Sequence, residues 1–373
     1  MNKIKNLSLL IKPASGNCNL RCKYCFYNDE IRLRKDANRG MMSPETLEHI
    51  VKNALAEAET ACSFGFQGGE PLLAGLDFYK KLIEFQKRHN RNNIRVSNAI
   101  QTNGMLICKE WARFFAENNF LVGLSIDGYK DIHDMFRIDA TGGGTFARCL
   151  KAAQILTNSK AEFNILSVVT RQFAAHPLKL WSAYKKHKFK YIQFIPCLDA
   201  LDNLNGQKHS LDADIYGTFL CDIFDLWYDD FVKGDYYSIR AFDNYINMLM
   251  GKPPESCAMN GYCQAYVLIE ADGTVYPCDF YALDAYEIGN IHNHSFAALI
   301  MSENARHFAR QSKIVREECR TCDIYPICRT GCRRDREPFT NETPALNRLC
   351  GAYKTFFRHA LPRMLHIAKQ LQY

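Results

Sequence analysis

Cys18, Cys22 and Cys25 place three thiols within eight residues, in a loop that reads Cys-Asn-Leu-Arg-Cys-Lys-Tyr-Cys-Phe-Tyr. Three is the informative number. A structural zinc site closes on four ligands, whereas a four-iron cluster held by three thiolates keeps one iron open to bind something else. A second group, Cys257, Cys263, Cys278, Cys319, Cys322, Cys328, Cys332 and Cys350, holds eight of the sixteen cysteines and lies in the last third of the chain. Eight thiols can close two full clusters, which suit electron transfer and the stiffening of a region poor in hydrophobic periodicity. Substrate chemistry is therefore expected near the N-terminus and electron traffic near the C-terminus.

Composition narrows the class. The chain has 373 residues, 47% hydrophobic and 23% charged, which is ordinary for a soluble globular protein of two or three domains. No stretch is long and apolar enough to span a bilayer, and residues 1–20 lack a signal-peptide core. The expected location is the cytoplasm, where a reducing environment favours metal over disulfides. A formal charge of +7 falls to roughly +2 once two closed cubanes of about −2 and one open cubane of about −1 are counted. With no Lys/Arg-rich run interleaved with aromatics, neither nucleic acid nor membrane is an expected partner.

The elements that must position these residues are βα units forming a parallel sheet. Apolar runs predict six strands: 7–12, 62–67, 94–101, 121–126, 163–170 and 191–196. Ser43-Pro44-Glu45 predicts a helix start, with Ser43 as cap and Pro44 in the first turn. The predicted fold is α/β, a partial (β/α)6 TIM-like barrel followed by a cysteine-rich domain holding two auxiliary clusters. The division falls at 1–233, closed by a linking helix over 212–233, and 234–373, closed by a helix over 353–371 in which Pro362 should introduce a kink. Barrel enzymes place their sites at the C-terminal ends of strands. There stand the cysteine loop, Gln67-Gly68-Gly69-Glu70-Pro71, Gln101-Thr102-Asn103-Gly104, Ser125-Ile126-Asp127-Gly128, Val168-Val169-Thr170-Arg171 and Ile195-Pro196-Cys197-Leu198-Asp199.

The pattern Cys18-x3-Cys22-x2-Cys25, with Tyr24 before the last cysteine, resembles the signature of the radical S-adenosylmethionine enzymes. The resemblance implies that the open iron chelates S-adenosylmethionine, which one electron cleaves to methionine and a 5′-deoxyadenosyl radical. Gly68-Gly69-Glu70-Pro71 resembles the second signature of that family, where glycine backbone and the acid meet the methionine ammonium. Tyr24, Ser125, Arg137 and Leu198 match further cofactor-contacting positions. A zinc loop is the bland alternative for the cysteines, a strand-end cap for Ser125, and a core residue for Leu198.

The pattern Cys263-x9-Gly273-x4-Cys278, then Cys319-x2-Cys322-x5-Cys328-x3-Cys332-x17-Cys350, is similar to the SPASM domain of peptide-modifying radical enzymes. That likeness implies one [4Fe-4S] cluster on Cys257, Cys263, Cys278 and Cys332, and another on Cys319, Cys322, Cys328 and Cys350. A zinc ribbon on Cys319, Cys322, Cys328 and Cys332 leaves four thiols unexplained.

Leu9-Leu10-Ile11-Lys12-Pro13, Phe66 to Pro71 and Val275-Tyr276-Pro277-Cys278-Asp279-Phe280 extend the likeness to the anaerobic sulfatase-maturating enzymes. It implies three [4Fe-4S] clusters, S-adenosylmethionine consumed as co-substrate, an unfolded sulfatase polypeptide as substrate, and a flavodoxin- or ferredoxin-like electron donor. The implied reaction oxidises a cysteine or serine to formylglycine, with Asp279 as the base; an orienting carboxylate is its bland alternative. Gln67 and Tyr276 are candidates for holding the peptide or for packing. Other SPASM maturases forge thioether or carbon–carbon crosslinks, and many carry an N-terminal leader-recognition domain, where here residues 1–6 precede the first expected strand. A non-catalytic electron-transfer or zinc-binding module is the third alternative. Cys62, Cys108, Cys149, Cys197 and Cys221 are expected to be ordinary thiols, Cys197 lying nearest the strand ends.

Overall fold

The structure, a computed structural model, describes residues 3–204, 206–264 and 266–372; Asn205 of the polar loop after the sixth strand and the first two residues of the N-terminal lead lie outside these. Its strands are β1 (Ile4–Ile11), β2 (Ala58–Phe66), β3 (Arg95–Thr102), β4 (Phe120–Ser125), β5 (Phe163–Val169), β6 (Tyr191–Pro196), β7 (Ser238–Ile239), β8 (Val267–Ile269), β9 (Thr274–Tyr276) and β10 (Gly289–Asn290). Each of the six expected strands has its counterpart in β1 to β6, and the fold is mixed α/β with a parallel sheet.

Contacts divide the chain into two compact units interleaved along the sequence. The first comprises Met1–Ser125, Asp134–Phe163 and Ala265–Phe308. Its strands run β10-β9-β8-β1-β2-β3-β4. Register aligns buried side chains across the parallel pairs, Leu7 with Cys62, Leu9 with Phe64 and Ile11 with Phe66. β8 joins the other edge of β1 in parallel, setting Leu9 against Val267 and Ile11 against Ile269. Helices Pro44–Glu57, Leu76–His89 and Lys109–Glu117 connect β1 to β4 in turn. The first begins as the sequence dictates, with Ser43 Oγ accepting the Thr46 N–H at 3.1 Å and Pro44 in the first turn. Tyr79, Trp111, Phe115 and Phe120 pack edge to face or tilted at 5.4–6.3 Å, anchoring helices to sheet.

The second unit comprises Ile126–His133, Asn164–Gln264 and Ala309–Tyr373. Its parallel strands run β5-β6-β7. The expected linking helix spans Ala213–Val232, and the Asp212 side chain caps it by accepting the Ile215 N–H at 2.9 Å. That helix packs on Cys350–Gln370, which passes through Pro362 as one α-helix; Phe224, Phe242 and Phe356 join the two with ring centroids 5.3–6.0 Å apart. No helix among the described residues is long and apolar enough to cross a membrane.

Candidate functional site

The cysteine loop leaves β1 through Lys12 and Pro13 and is fixed by its own backbone and by a neighbouring segment. Cys25 N–H bonds to Cys22 O at 3.2 Å, while the N–H groups of Arg21 and Lys23 bond to Ile138 O and Phe136 O. The Arg21 guanidinium bridges the carbonyls of Cys18 and Leu20, both at 2.8 Å. Cys18, Cys22 and Cys25 are all partly buried. Burial raises the Cys25 thiol to about 12, and the charges of Cys22 and Cys18 add to the rise.

Among the described residues, no three His, Cys, Asp or Glu side chains converge tightly enough to chelate one metal ion. Yet the three thiols feel one another's charge. Three thiols grouped in one loop suit a cubane, where each thiolate binds a different iron. The residues present therefore fit a cluster.

Gly68 and Gly69 pack closely on the residues that lead into the cysteine loop. A Cβ on Gly69 would lie 2.0 Å from Asn17 O, and Gly68, at φ +116°, would place one 2.8 Å from Ser15 O. Bare backbone is thus needed so that this turn can pack on the residues leading into the cysteine loop. The pairing is sealed by Gly69 N–H to Ser15 O at 2.9 Å and Glu70 N–H to Asn17 O at 2.7 Å. The buried Glu70 carboxylate accepts from Thr102 Oγ1, Asn103 N–H and Leu72 N–H at 2.8, 2.8 and 3.0 Å. Burial nevertheless raises it to about 7. Arg137 donates to the Tyr24 hydroxyl at 2.9 Å, and both are buried. The charges of Glu70 and Arg137 reach Cys18, so these expected positions are brought together in one unit. Ser125, half-buried, ends β4 in that unit; Leu198, also half-buried, follows β6 in the second.

Asp279 lies just past β9 and is 7% exposed. Its carboxylate accepts the Tyr27 hydroxyl at 2.9 and 3.1 Å and Gln67 Nε2 at 2.5 Å, and Lys12 Nζ stands 3.9 Å away. Burial pushes the carboxyl above the ordinary range, opposed by the Lys12 charge and the Tyr27 hydrogen bond. Gln67 is therefore a partner of Asp279. Tyr276 is fully buried, and its hydroxyl accepts from Arg39 Nη2 at 3.1 Å.

Behind Asp279 stands a buried charge network that sequence reasoning missed. Lys12 Nζ donates to Glu30 at 2.8 Å and Glu270 at 3.5 Å and sits 4.2 Å from the Tyr27 ring centroid; Arg34 Nη1 meets Glu270 at 2.5 Å. Tyr27 and Glu30 lie one turn apart on helix Tyr27–Leu33, with Arg34 as its C-cap, so a single helical face delivers three members. Lys12 and Arg34 face the three carboxylates of Glu30, Glu270 and Asp279. Burial alone would lower Lys12, but those three acids hold it above its usual value. Burial alone would raise Glu270, yet Lys12 and Arg34 pull it below the usual carboxylate range. The trace in the sequence is a charged residue ending each of two apolar runs, Lys12 after Ile11 and Glu270 after Ile269, which the register of β1 on β8 sets side by side.

In the second unit, charge coupling sorts the remaining thiols into two sets. Cys332 is raised by burial and then by Asp335, Cys257 and Cys263. Cys328 is raised by burial and then by Cys350, Cys319 and Cys322. Cys278 belongs to the first unit, next to Asp279. Of the other thiols, Cys62, Cys149 and Cys197 are buried, Cys221 is half-buried and Cys108 is exposed.

Residues 13–171 match the family model of the Radical SAM superfamily, and residues 257–323 match that of the SPASM iron-sulfur cluster-binding domain. The chain is 48% identical to the cysteine-type anaerobic sulfatase-maturating enzyme of Clostridium novyi, over 99% of each chain. This chain belongs to the anaerobic sulfatase-maturating enzymes. It is 32% identical to the serine-type family member of Bacteroides thetaiotaomicron, covering 98% of this chain and 92% of that one. A solved structure described as native anSMEcpe with bound AdoMet and Cp18Cys peptide superposes with a TM-score of 0.94 at 45% identity, covering 98% of this chain and 99% of that one. Family membership makes the chain a radical enzyme whose chemistry uses iron-sulfur clusters and S-adenosylmethionine.

Proposed function

We propose that this enzyme oxidises a cysteine of a sulfatase polypeptide to formylglycine. The observation that carries the reading is the Asp279 carboxylate, buried between Tyr27 and Gln67 in the same unit as the three-cysteine loop. Cys18, Cys22 and Cys25 would hold the catalytic cluster, with Tyr24, Gly68, Gly69, Glu70, Ser125, Arg137 and Leu198 toward S-adenosylmethionine. The cluster and S-adenosylmethionine, when bound, supply one-electron cleavage and removal of a β-hydrogen from the target residue. Asp279 receives the thiol proton, which the substrate must lose as it is oxidised. Tyr27 and Gln67 hold the carboxylate at a fixed position through donated hydrogen bonds, leaving it free to accept. The substrate gives up one further electron as that proton leaves, electron transfer being what the auxiliary clusters would supply, and water then replaces sulfur, which departs as hydrogen sulfide, as the aldehyde forms.

Eight further thiols would hold two auxiliary clusters, giving three [4Fe-4S] clusters in all. Cys257, Cys263 and Cys332 with Cys278 form one ligand set, and Cys319, Cys322, Cys328 and Cys350 the other; the charge coupling among the thiols of the second unit supports this sorting. The proposed division at 1–233 and 234–373 is that between the partial barrel and the domain of the auxiliary clusters, with Asp279 of the latter serving the reaction. A flavodoxin- or ferredoxin-like carrier in a reducing cytoplasm suits the oxygen-sensitive metal load. Cysteine is the proposed target because relatives at 45–48% identity are cysteine-type, against 32% for a serine-type relative. The test is to incubate the reduced enzyme and S-adenosylmethionine with matched cysteine and serine peptides, then trap aldehyde with a hydrazide. Faster trapping from the cysteine peptide is expected, and no aldehyde from either peptide overturns the proposal.

A further inference from the structure

Asn103, at the end of β3, has every polar atom engaged. Its backbone N–H donates to Glu70 Oε2 at 2.8 Å, and its carbonyl accepts from Cys149 Sγ at 3.3 Å. Its side-chain Oδ1 accepts the Met105 N–H at 2.9 Å. A backbone N–H can only donate, so this contact fixes the amide orientation and leaves Nδ2 as the donor on the other side. Nδ2 donates to Asn19 Oδ1 at 2.7 Å and lies 3.7 Å from Cys18 Sγ. The same sulfur accepts the Leu20 N–H at 3.4 Å. Cys18 thus receives one donor from its own loop and one from a separate strand. Asn103 is 6% exposed, so water has little access to replace the second.

We propose that Asn103 tunes the reduction potential of the catalytic cluster by donating an N–H···S hydrogen bond to Cys18. The proposal rests on the reading of Cys18 as a cluster ligand. Such a bond draws electron density from the thiolate and so favours the more negative, reduced cluster, raising its potential. Asn103 is a positioning residue that acts through the ligand and touches neither substrate nor reacting atoms. It also couples two parts of the site, because its backbone restrains Glu70 while its side chain addresses Cys18.

The test is a redox titration of the full, three-cluster protein followed by electron paramagnetic resonance. The catalytic signal is identified by its change on adding S-adenosylmethionine. Asn103→Asp keeps size and the Met105 contact but replaces the donor, and Asn103→Ala removes the side chain without adding charge. In both, the reduced-to-oxidised ratio at the wild-type midpoint should fall by about five- to tenfold, the scale of one ordinary hydrogen bond; a tenfold fall is 59 mV for one electron. The auxiliary signals should stay at their wild-type potentials. An unchanged catalytic midpoint in Asn103→Ala overturns the proposal, whether or not Asn103→Asp shifts. Should Asn103→Ala fail to load the catalytic cluster, Asn103→Ser serves as the smaller polar replacement, and failure of all three to load it overturns the tuning role in favour of assembly. A wild-type protein with no signal responsive to S-adenosylmethionine refutes the ligand reading itself, a distinct outcome.

Discussion

Asp279→Asn isolates the proton acceptor from the rest of the site. The carboxylate takes hydrogen bonds from the Tyr27 hydroxyl at 2.9 and 3.1 Å and from Gln67 Nε2 at 2.5 Å. An asparagine has one acceptor oxygen and one amide nitrogen. Turned toward Gln67, the oxygen keeps that bond, and the amide can donate to Tyr27, whose hydroxyl is able to accept. The local geometry therefore survives while basicity is lost. General base catalysis contributes about 10²- to 10⁴-fold, or roughly 3–5 kcal/mol of barrier, and aldehyde formation should fall by that factor. Cleavage of S-adenosylmethionine depends on the cysteine loop and should continue near the wild-type rate. Parallel quantitation of 5′-deoxyadenosine and trapped aldehyde in one reaction gives both rates. Aldehyde at the wild-type rate would refute the role of Asp279, and equal loss of both products would refute the separation of the two functions.

Lys12→Met removes a buried ammonium while keeping its bulk, leaving Glu30, Glu270 and Asp279 with Arg34 as the remaining cation of the network. Breaking a buried ion pair from one side costs about 3–5 kcal/mol, so thermal unfolding should shift down by several degrees; an unchanged midpoint contradicts the network's role. Gly69→Ala would drive a Cβ against Asn17 O, a backbone atom 2.0 Å away. On the proposed three-cluster reading, iron per chain should then fall from about twelve to about eight, the catalytic cluster being lost and the auxiliary pair kept. Full iron content in that variant contradicts the proposed packing.

The sheet was legible because β1 to β6 are apolar runs bounded by turn residues, and the helix starts at Ser43 and Asp212 because each side chain caps its own first turn. Strands β8 to β10 were not legible, since two or three residues carry no periodicity. The cysteines announced themselves by spacing, and Asp279 only through the family resemblance of the segment around Cys278. The support of Asp279 was hidden for a physical reason. Lys12 meets partners 18 and 258 residues away, and a local pattern records no such pairing. Its trace is a lysine ending the apolar run Leu9-Leu10-Ile11 and a glutamate ending Val267-Leu268-Ile269. Only the register of β1 on β8 shows that these two exceptions answer each other. Asn103 was visible as a strand-end residue, but its bond to Cys18 spans 85 positions and requires the folded sheet.

The most direct measurement is the intact mass of a cysteine-containing sulfatase peptide after anaerobic incubation with the reduced enzyme and S-adenosylmethionine. Formylglycine formation predicts a product that has lost its sulfur, gained a carbonyl oxygen and become reactive toward hydrazide. A product that retains sulfur, has lost two hydrogens and resists hydrazide contradicts that chemistry and identifies a crosslinking enzyme instead.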